Sequence, residues 1–214
     1  MYIPADFKES RVEVLQDLVE QFPLGTLVSH GDSGLDANHL PFELERTQGT
    51  LGRLHTHLAR RNPLWQELSD GDDVLVVFHC GNAYISPNWY PSKHETHEEV
   101  PTWNYRVVHA HGKVTIRDDE RYVHGVVARL TRRLEASQSN PWKMGQLKPE
   151  ARAEMLQEIV GLEIEIGSLV GKLKLGQNKQ ERDRRGAADA LLLQGERTIG
   201  EAMRHARASS QGAS

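Results

Sequence analysis

YISPNWYPSKHETHEEVPTWNYRVVHAHG, residues 84–112, is the stretch on which the reading of this chain turns. It holds two of the four Trp, Trp89 and Trp103, and three of the five Tyr. Pro87, Pro91 and Pro101 interrupt it, so most of it is excluded from helix. Aromatic, hydroxyl and amide side chains sit between strand-like pieces, a mixture that suits a planar ligand needing stacking and hydrogen bonds. The same mixture suits a packed core, because aromatic-rich strands fill interiors and Pro with Trp fixes rigid turns. Both readings stand at this point.

Upstream of that stretch, DVLVVFHC (73–80) is the most strand-like run in the chain, and Gly81–Asn82 reads as a hairpin turn into AYISP. Downstream, TWNYRVVHAHG (102–112) and KVTIR (113–117) read as another pair of strands. LGTLVSH (24–30), LDANHLPFEL (35–44) and TLGRLHTH (50–57) form a meander joined by the polar turns GDSG (31–34) and ERTQG (45–49). GLEIEIGSLV (161–170) alternates Leu162, Ile164 and Ile166 with Glu163 and Glu165, a half-buried strand that GKLKLGQN (171–178) continues.

Helices flank these strands. Asp6 and Glu9 have capping-box spacing, and Val12, Leu15, Leu18, Val19 and Phe22 then recur at helical intervals, which predicts a helix over 8–21 stopped by Pro23. Asn62 caps a short helix that begins at Pro63 and turns Leu64, Trp65 and Leu68 inward. Asp118 caps a helix over 119–136, Pro149 opens one running to 159, and the charged segment from Lys179 is helical to 194. The end, RASSQGAS (207–214), is expected to fray. The order of elements indicates an α+β, mainly β fold, a barrel or strongly curved sheet with flanking helices. Residues 1–178 are taken as the main domain and 179–214 as a helical extension.

Composition excludes several classes. A formal charge of -4 over 214 residues gives no general drive toward nucleic acid. No apolar run approaches the roughly 20 residues that span a bilayer, and MYIPADFKES is no signal peptide, so a cytoplasmic, non-membrane protein is expected. The single Cys80 forbids an internal disulfide and sits in a strand, where it reads as a packing thiol. Eleven His include the pairs His55/His57, His109/His111 and His94/His97, but none has the spacing or acidic company of a metal site. P-loop, Rossmann and nucleophile-elbow motifs are missing. Arg60 and Arg61, just ahead of the short helix at 63, could hold a phosphate at its N-terminus; as surface residues they would simply be solvated.

Several strings in order, MYIPADF (1–7), PLGTLV (23–28), GLDANHLPF (34–42), HLARRNPLW (57–65), YISPNWYPSK (84–93), VPTWNY (100–105), VHAHG (108–112) and GKLKLGQN (171–178), resemble the PaiB family of FMN-binding negative transcriptional regulators. The resemblance runs from residue 1 to about 190. It implies the FMN-binding split β-barrel with flanking helices, a fold shared with pyridoxamine-phosphate oxidase, and a homodimer with a flavin site where barrels meet. By that analogy His57, Arg60 and Asn62 receive the FMN phosphate and ribityl chain, with Arg60 the best phosphate partner. Ser86, Trp89, Thr102 and Asn104 would surround the isoalloxazine ring, from the same or the other subunit. Lys172 and Gln177 would reach the same cofactor, and Asn38 and His39 are further candidates. The family pattern GKWKLSQN appears here with Leu173 for its Trp and Gly176 for its Ser, which loses stacking area and a hydroxyl and bears on whether flavin is kept or replaced. The expected function is a flavin-binding (negative) regulator of transcription. The alternatives are an FMN-dependent oxidoreductase on a small molecule, for which the cofactor supplies the hydride chemistry, and a relative that binds haem or another planar ligand. The basic segments RLTRRLE (129–135) and NKQERDRRG (178–186) are the best candidates for contact with DNA, or else solvated helix faces.

Overall fold

The computed structural model describes residues 1–31 and 34–206. In chain order, a 3-10 turn at Ala5–Phe7 leads into β1 (Lys8–Glu9) and α1 (Val12–Gln21). The meander follows as β2 (Leu24–Gly31), β3 (Gly34–Pro41), β4 (Glu43–Glu45) and β5 (Arg53–Ala59). After α2 (Leu64–Glu67) comes β6 (Asp73–Ile85), then a 3-10 turn at Pro87–Trp89 and α3 (Lys93–Thr96). β7 (Thr102–Arg117), α4 (Glu120–Glu135) and α5 (Pro149–Gln157) precede β8 (Ile159–Lys174), and α6 (Glu181–Leu193) and α7 (Arg197–His205) complete the chain. The strands form an antiparallel sheet in the order β3-β2-β6-β7-β8-β5-β4, with β1 paired to β8, and the sheet does not close on itself.

The long strands depart from the expected hairpins. Gly81–Asn82 is not a turn: β6 runs straight through it for 13 residues. Gly81 takes φ +100°, and the inward positions shift from Val74, Val76, Phe78 and Cys80 to Ala83 and Ile85. A bulge does this, inserting one residue and flipping the alternation, and the φ > 0 conformation explains the glycine. Nor do residues 112 and 113 separate two strands, because β7 is continuous from Thr102 to Arg117. Gly112 is there for closeness: a Cβ would lie 2.3 Å from the Glu165 carbonyl oxygen.

Two compact units divide the chain. The larger comprises Gln16–Phe78 and His109–Leu169. In it β2 pairs with β3 through eight residues, Leu24↔Pro41 to Gly31↔Gly34, and with β6 from Gly25↔Phe78 to Val28↔Leu75. β5 runs against β8 from Arg53↔Glu165 to Ala59↔Ile159. Leu27, Phe42, Leu54, Val76, Phe78, Leu162 and Ile164 are fully buried here, each such side chain contributing about 1.5–3 kcal/mol. Phe42 and Phe78 meet edge to face at 5.6 Å. α4 turns Val123, Val126 and Leu130 inward, whereas Leu134 is half exposed. Its cap is Asp119, whose carboxylate accepts from the Tyr122 N–H at 2.8 Å, and not Asp118.

The smaller unit comprises Met1–Leu15, His79–Val108 and the chain from Val170 onward. The expected helix from residue 8 begins instead at Val12, because Lys8 and Glu9 are extended and pair with Lys172 and Gly171. Glu9 serves locally, its carboxylate accepting from the Arg11 N–H at 2.9 Å. α6 and α7 cover one side of this unit's strands through Ala83, Ile85, Tyr90, Leu175, Ala187, Ala188, Leu191, Ile199 and Met203. The sequence reading ends its helix at 194, and within the helical extension a second helix, α7, starts at Arg197. Gly195, at φ +84°, allows the reversal into it, and α7 lies so close to β6 that a Cβ on Gly81 would meet Thr198 at 2.5 Å. The segment 207–214, expected to fray, and residues 32 and 33 of the GDSG turn lie outside the described residues.

Candidate functional site

The residues singled out by sequence fall into two groups, one per unit. His57, Arg60 and Asn62 lie in the larger unit, where β5 gives way to α2. Arg60 is committed to the protein. Its Nη1 and Nη2 donate to Asp118 Oδ2 and Oδ1 at 2.9 and 2.5 Å, and its Nε donates to the Gln157 carbonyl at 2.6 Å. Nη2 also reaches the Ile159 carbonyl at 3.2 Å, and the guanidinium lies over the Trp65 ring. Asn62 does cap: its Oδ1 accepts from the Leu64 N–H at 3.0 Å, while its Nδ2 donates to Asn38 Oδ1 at 2.7 Å. Asn38 in turn donates to Asp36 at 2.7 Å, and His39 Nδ1 shares a hydrogen bond with Thr26 at 3.0 Å. α2 is four residues long, so it offers only a weak anion-binding end. Burial holds His57 below the usual histidine range, and its Nδ1 has no partner among the described residues.

His55, two residues before His57 and not among the sequence-derived site residues, sits in a buried polar cluster of the larger unit. Its Nδ1 lies 2.8 Å from Tyr122 Oη, and its Nε2 lies 3.1 Å from Glu45 Oε2. A carboxylate only accepts, so Nε2 carries a proton, while the Tyr122 hydroxyl donates to the Leu162 carbonyl at 3.0 Å. Burial lowers the His55 pKa. A groove of about 730 Å³, lined by Thr50, His111, Lys113, Glu165 and Ser168 among others, includes His111 of the His109/His111 pair but none of the residues that the resemblance assigns to the cofactor.

Ser86, Trp89, Thr102, Asn104, Lys172 and Gln177 belong to the smaller unit. Three of them serve the backbone or core. Ser86 Oγ accepts from the Asn88 N–H at 3.2 Å and so caps the 3-10 turn. Trp89 packs against the core of this unit. Gln177 closes the turn after β8, its Oε1 accepting from the Leu175 N–H at 2.7 Å and its Nε2 donating to the Leu173 carbonyl at 2.5 Å. Asn104 is buried, with its Nδ2 on Met203 Sδ at 3.3 Å.

Thr102 and Lys172 are half-buried, and Lys172 Nζ donates to the Tyr2 carbonyl at 3.3 Å. Thr102 Oγ1 accepts from Lys174 Nζ at 2.6 Å, and Lys172 Nζ lies 5.3 Å from the Tyr105 ring centre. Trp103, two residues from Tyr105 on β7 and hence on the same side, is 54% exposed. It meets Tyr84 of β6, 47% exposed, edge to face at 6.1 Å. Three neighbouring strands thus present Tyr84, Trp103, Tyr105, Lys172 and Lys174 together. Burial lowers the Lys174 pKa, with Lys172 as a lesser like-charge contribution. An aromatic platform beside two ammonium groups suits a flat, anionic ligand. Sequence reading chose Thr102 and Asn104 and passed over Trp103, although strict alternation along β7 separates them.

Comparison with known proteins follows the same line. A family profile described as "Putative FMN-binding domain" matches residues 1–168. The chain is 32% identical over 183 residues to "Protease synthase and sporulation protein PAI 2" of Bacillus subtilis, covering 86% of this chain and 85% of that protein. Among solved structures, the FAD and heme binding protein from Mycobacterium smegmatis has a TM-score of 0.56 at 19% identity, over 78% of this chain and 73% of that one. The flavocytochrome Anf3 from Azotobacter vinelandii has a TM-score of 0.59 at 14% identity, over 78% and 69%. These likenesses show the split-barrel fold expected from the sequence. With the profile covering most of its length and a relative matched across most of both chains, the protein belongs to the FMN-binding domain family.

Proposed function

We propose that the chain is a flavoprotein that binds FMN, and that the isoalloxazine stacks on the Tyr84–Trp103 face of the smaller unit. The observation that carries this reading is the set of exposed aromatic rings beside Lys172 and Lys174, which meets the needs of a planar ring bearing a phosphate. Bound flavin would supply hydride chemistry. The residues supply stacking area and positive charge, and Lys174 orients Thr102 Oγ1 by donating to it. The names of the structural neighbours, with FAD and heme in one and a flavocytochrome in another, support a planar cofactor in general.

FMN titration by absorbance and fluorescence tests it. Trp103→Ala should weaken FMN about 5- to 150-fold, as loss of one stacking contact of about 1–3 kcal/mol would do. Lys174→Met should weaken FMN more than riboflavin. Arg60→Ala and Asn62→Ala, run alongside, test the larger unit's residues. Loss of FMN in those two variants and not in Trp103→Ala would move the site to the β5–α2 segment. A Soret band in the purified protein would put haem first.

For the cell, the reading that fits best is a flavin-dependent oxidoreductase, with any effect on transcription indirect. Several basic residues of the segments that would contact DNA are already engaged within the protein. Arg129 holds Glu43 at 2.7 Å, Arg133 donates to the Glu20 carbonyl, Arg182 holds Glu95 at 2.5 Å and Lys179 holds Glu99. A direct repressor, the role the resemblance names, would show DNA affinity falling steeply with salt. NAD(P)H oxidation by the FMN-loaded protein, with no such DNA binding, would support the enzyme. Light scattering at twice the chain's mass would support the homodimer that the family resemblance implies.

A further inference from the structure

Arg184, on the first turns of α6, is 6% exposed, yet its Nε and Nη1 have no partner among the described residues. A buried guanidinium without an acceptor costs several kcal/mol, so such groups are almost always paired. The neighbouring groups do not relieve it. Asp183, 2% exposed, spends Oδ1 on the Ser92 N–H at 2.9 Å and makes no ion pair with Arg184. Ser92, 4% exposed, leaves its Oγ unpartnered as well. Asn104, 1% exposed, donates only to a thioether, a weak acceptor.

Gly176 links Arg184 with Asn104, and the Ser92 N–H bond to Asp183 brings Ser92 to the same turn of α6. A Cβ at that position would lie 3.6 Å from Arg184 Cγ, 3.9 Å from Asn104 Nδ2 and 3.8 Å from Met203 Cε. The Arg184 stem and the Asn104 amide therefore border one small space beside a residue that has no side chain to fill it. Donors are left over in the cluster, since Arg184 Nε and Nη1 and the Ser92 hydroxyl have no partner while the Asp183 carboxylate accepts from the Ser92 N–H. Arg184 also lies beyond residues 1–168, the part matched by the family profile.

We propose that Arg184, with Asn104 and Ser92, forms a binding site for an oxyanion, a carboxylate or phosphoryl group of a small molecule, which the guanidinium fork takes at two points. The site stands independently of the flavin reading, because inorganic phosphate and acetate are enough to probe it.

The experiment is thermal unfolding of the full chain, titrated with sodium phosphate or sodium acetate against sodium chloride of equal ionic strength. The wild-type midpoint should rise saturably with at least one of the two anions. Arg184→Met should respond to neither and, in chloride, should be at least as stable as wild type, because it removes an uncompensated buried charge. A wild type indifferent to both anions would overturn the proposal. So would an Arg184→Met variant that is destabilised equally in every salt, the mark of a purely structural arginine. Should Arg184→Met fail to fold, Arg184→Lys decides. It keeps the charge and loses the fork, so anion affinity should fall at least tenfold, and an unchanged affinity would sink the idea. FMN and riboflavin identify the source. Phosphate that competes with FMN but not with riboflavin would make the anion the flavin's own phosphate; phosphate that binds beside FMN would make it a second ligand.

Discussion

Arg60 and Asp118 grip each other at two points, 2.9 and 2.5 Å, while Arg60 also holds the backbone at Gln157 and Ile159. The arginine thereby fastens the end of β5 to the junction of α5 and β8, all within the larger unit. The pair is partly exposed, so its own worth is about 0.5–1 kcal/mol, with the carbonyl bonds adding to it. Arg60→Ala should therefore cost about 1–2 kcal/mol in urea unfolding, and Asp118→Asn less. The double variant should cost less than the sum. The guanidinium beside Asp118 holds its carboxyl below the usual range. Its contribution is thus present at neutral pH and lost as pH falls through the folded-state value, and Arg60→Ala should flatten that acid limb.

His55 gives a second probe, at higher pH. Burial lowers its pKa from 6.5, so the unfolded chain takes up the proton first as pH falls. Stability should drop between pH 7 and pH 5, and His57, lowered by the same cause, adds to the slope. His55→Gln with His57→Gln should make the profile shallower in this window; an unchanged slope would show that neither ring is held neutral.

Gly25 packs against three side chains: a Cβ there would meet Val76, Phe78 and Phe42 at 2.8, 2.9 and 3.0 Å. Gly25→Ala should cost about 1–3 kcal/mol by overpacking. Val76→Ala in the same chain should restore part of that loss if the crowding is the cause.

At Gly81 two penalties separate cleanly. Gly81→Ala brings a methyl to 2.5 Å from Thr198 Cγ2 and forces φ +100° on a residue with a side chain. Thr198→Ser removes that methyl, so the double variant should recover the steric share. The conformational share of about 1–2 kcal/mol should persist. Thermal midpoints of the four proteins complete the cycle.

Cys80 is fully buried, and burial pushes its thiol up to about 12. At pH 8 the native protein should not react with a thiol reagent over minutes, whereas the unfolded chain should react with one equivalent.

Much of this was legible because period carries burial. The alternation of Leu162, Ile164 and Ile166, the Asn62 cap and the Pro149 helix start all stand where the residues placed them. Three differences from the expected elements have physical causes. Gly81–Asn82 has hairpin chemistry, but the alternation resumes one step out of phase, which a turn does not require. Asp118 and Asp119 are equally good caps in sequence, and only a distant arginine decides between them. β1 exists because β8 passes beside it, a long-range pairing invisible in the KE dipeptide. At the site, Arg60 looked free because Asp118 lies 58 residues away. Arg184 looked like one more charge on a helix face, since nothing local reveals that it is buried.

The bulge in β6 works as a change of reading frame. Before Gly81 the interior is written in even-numbered positions, and from Ala83 onward it is written in odd ones. Substitutions along the strand act one at a time, but a change of length would invert every residue beyond it. Removal of the bulge residue itself is the exception: without Asn82, Ala83 and Ile85 would still point inward and Tyr84 outward. Within β6, this is the one place where the chain could be shortened without turning its aromatic face into the core.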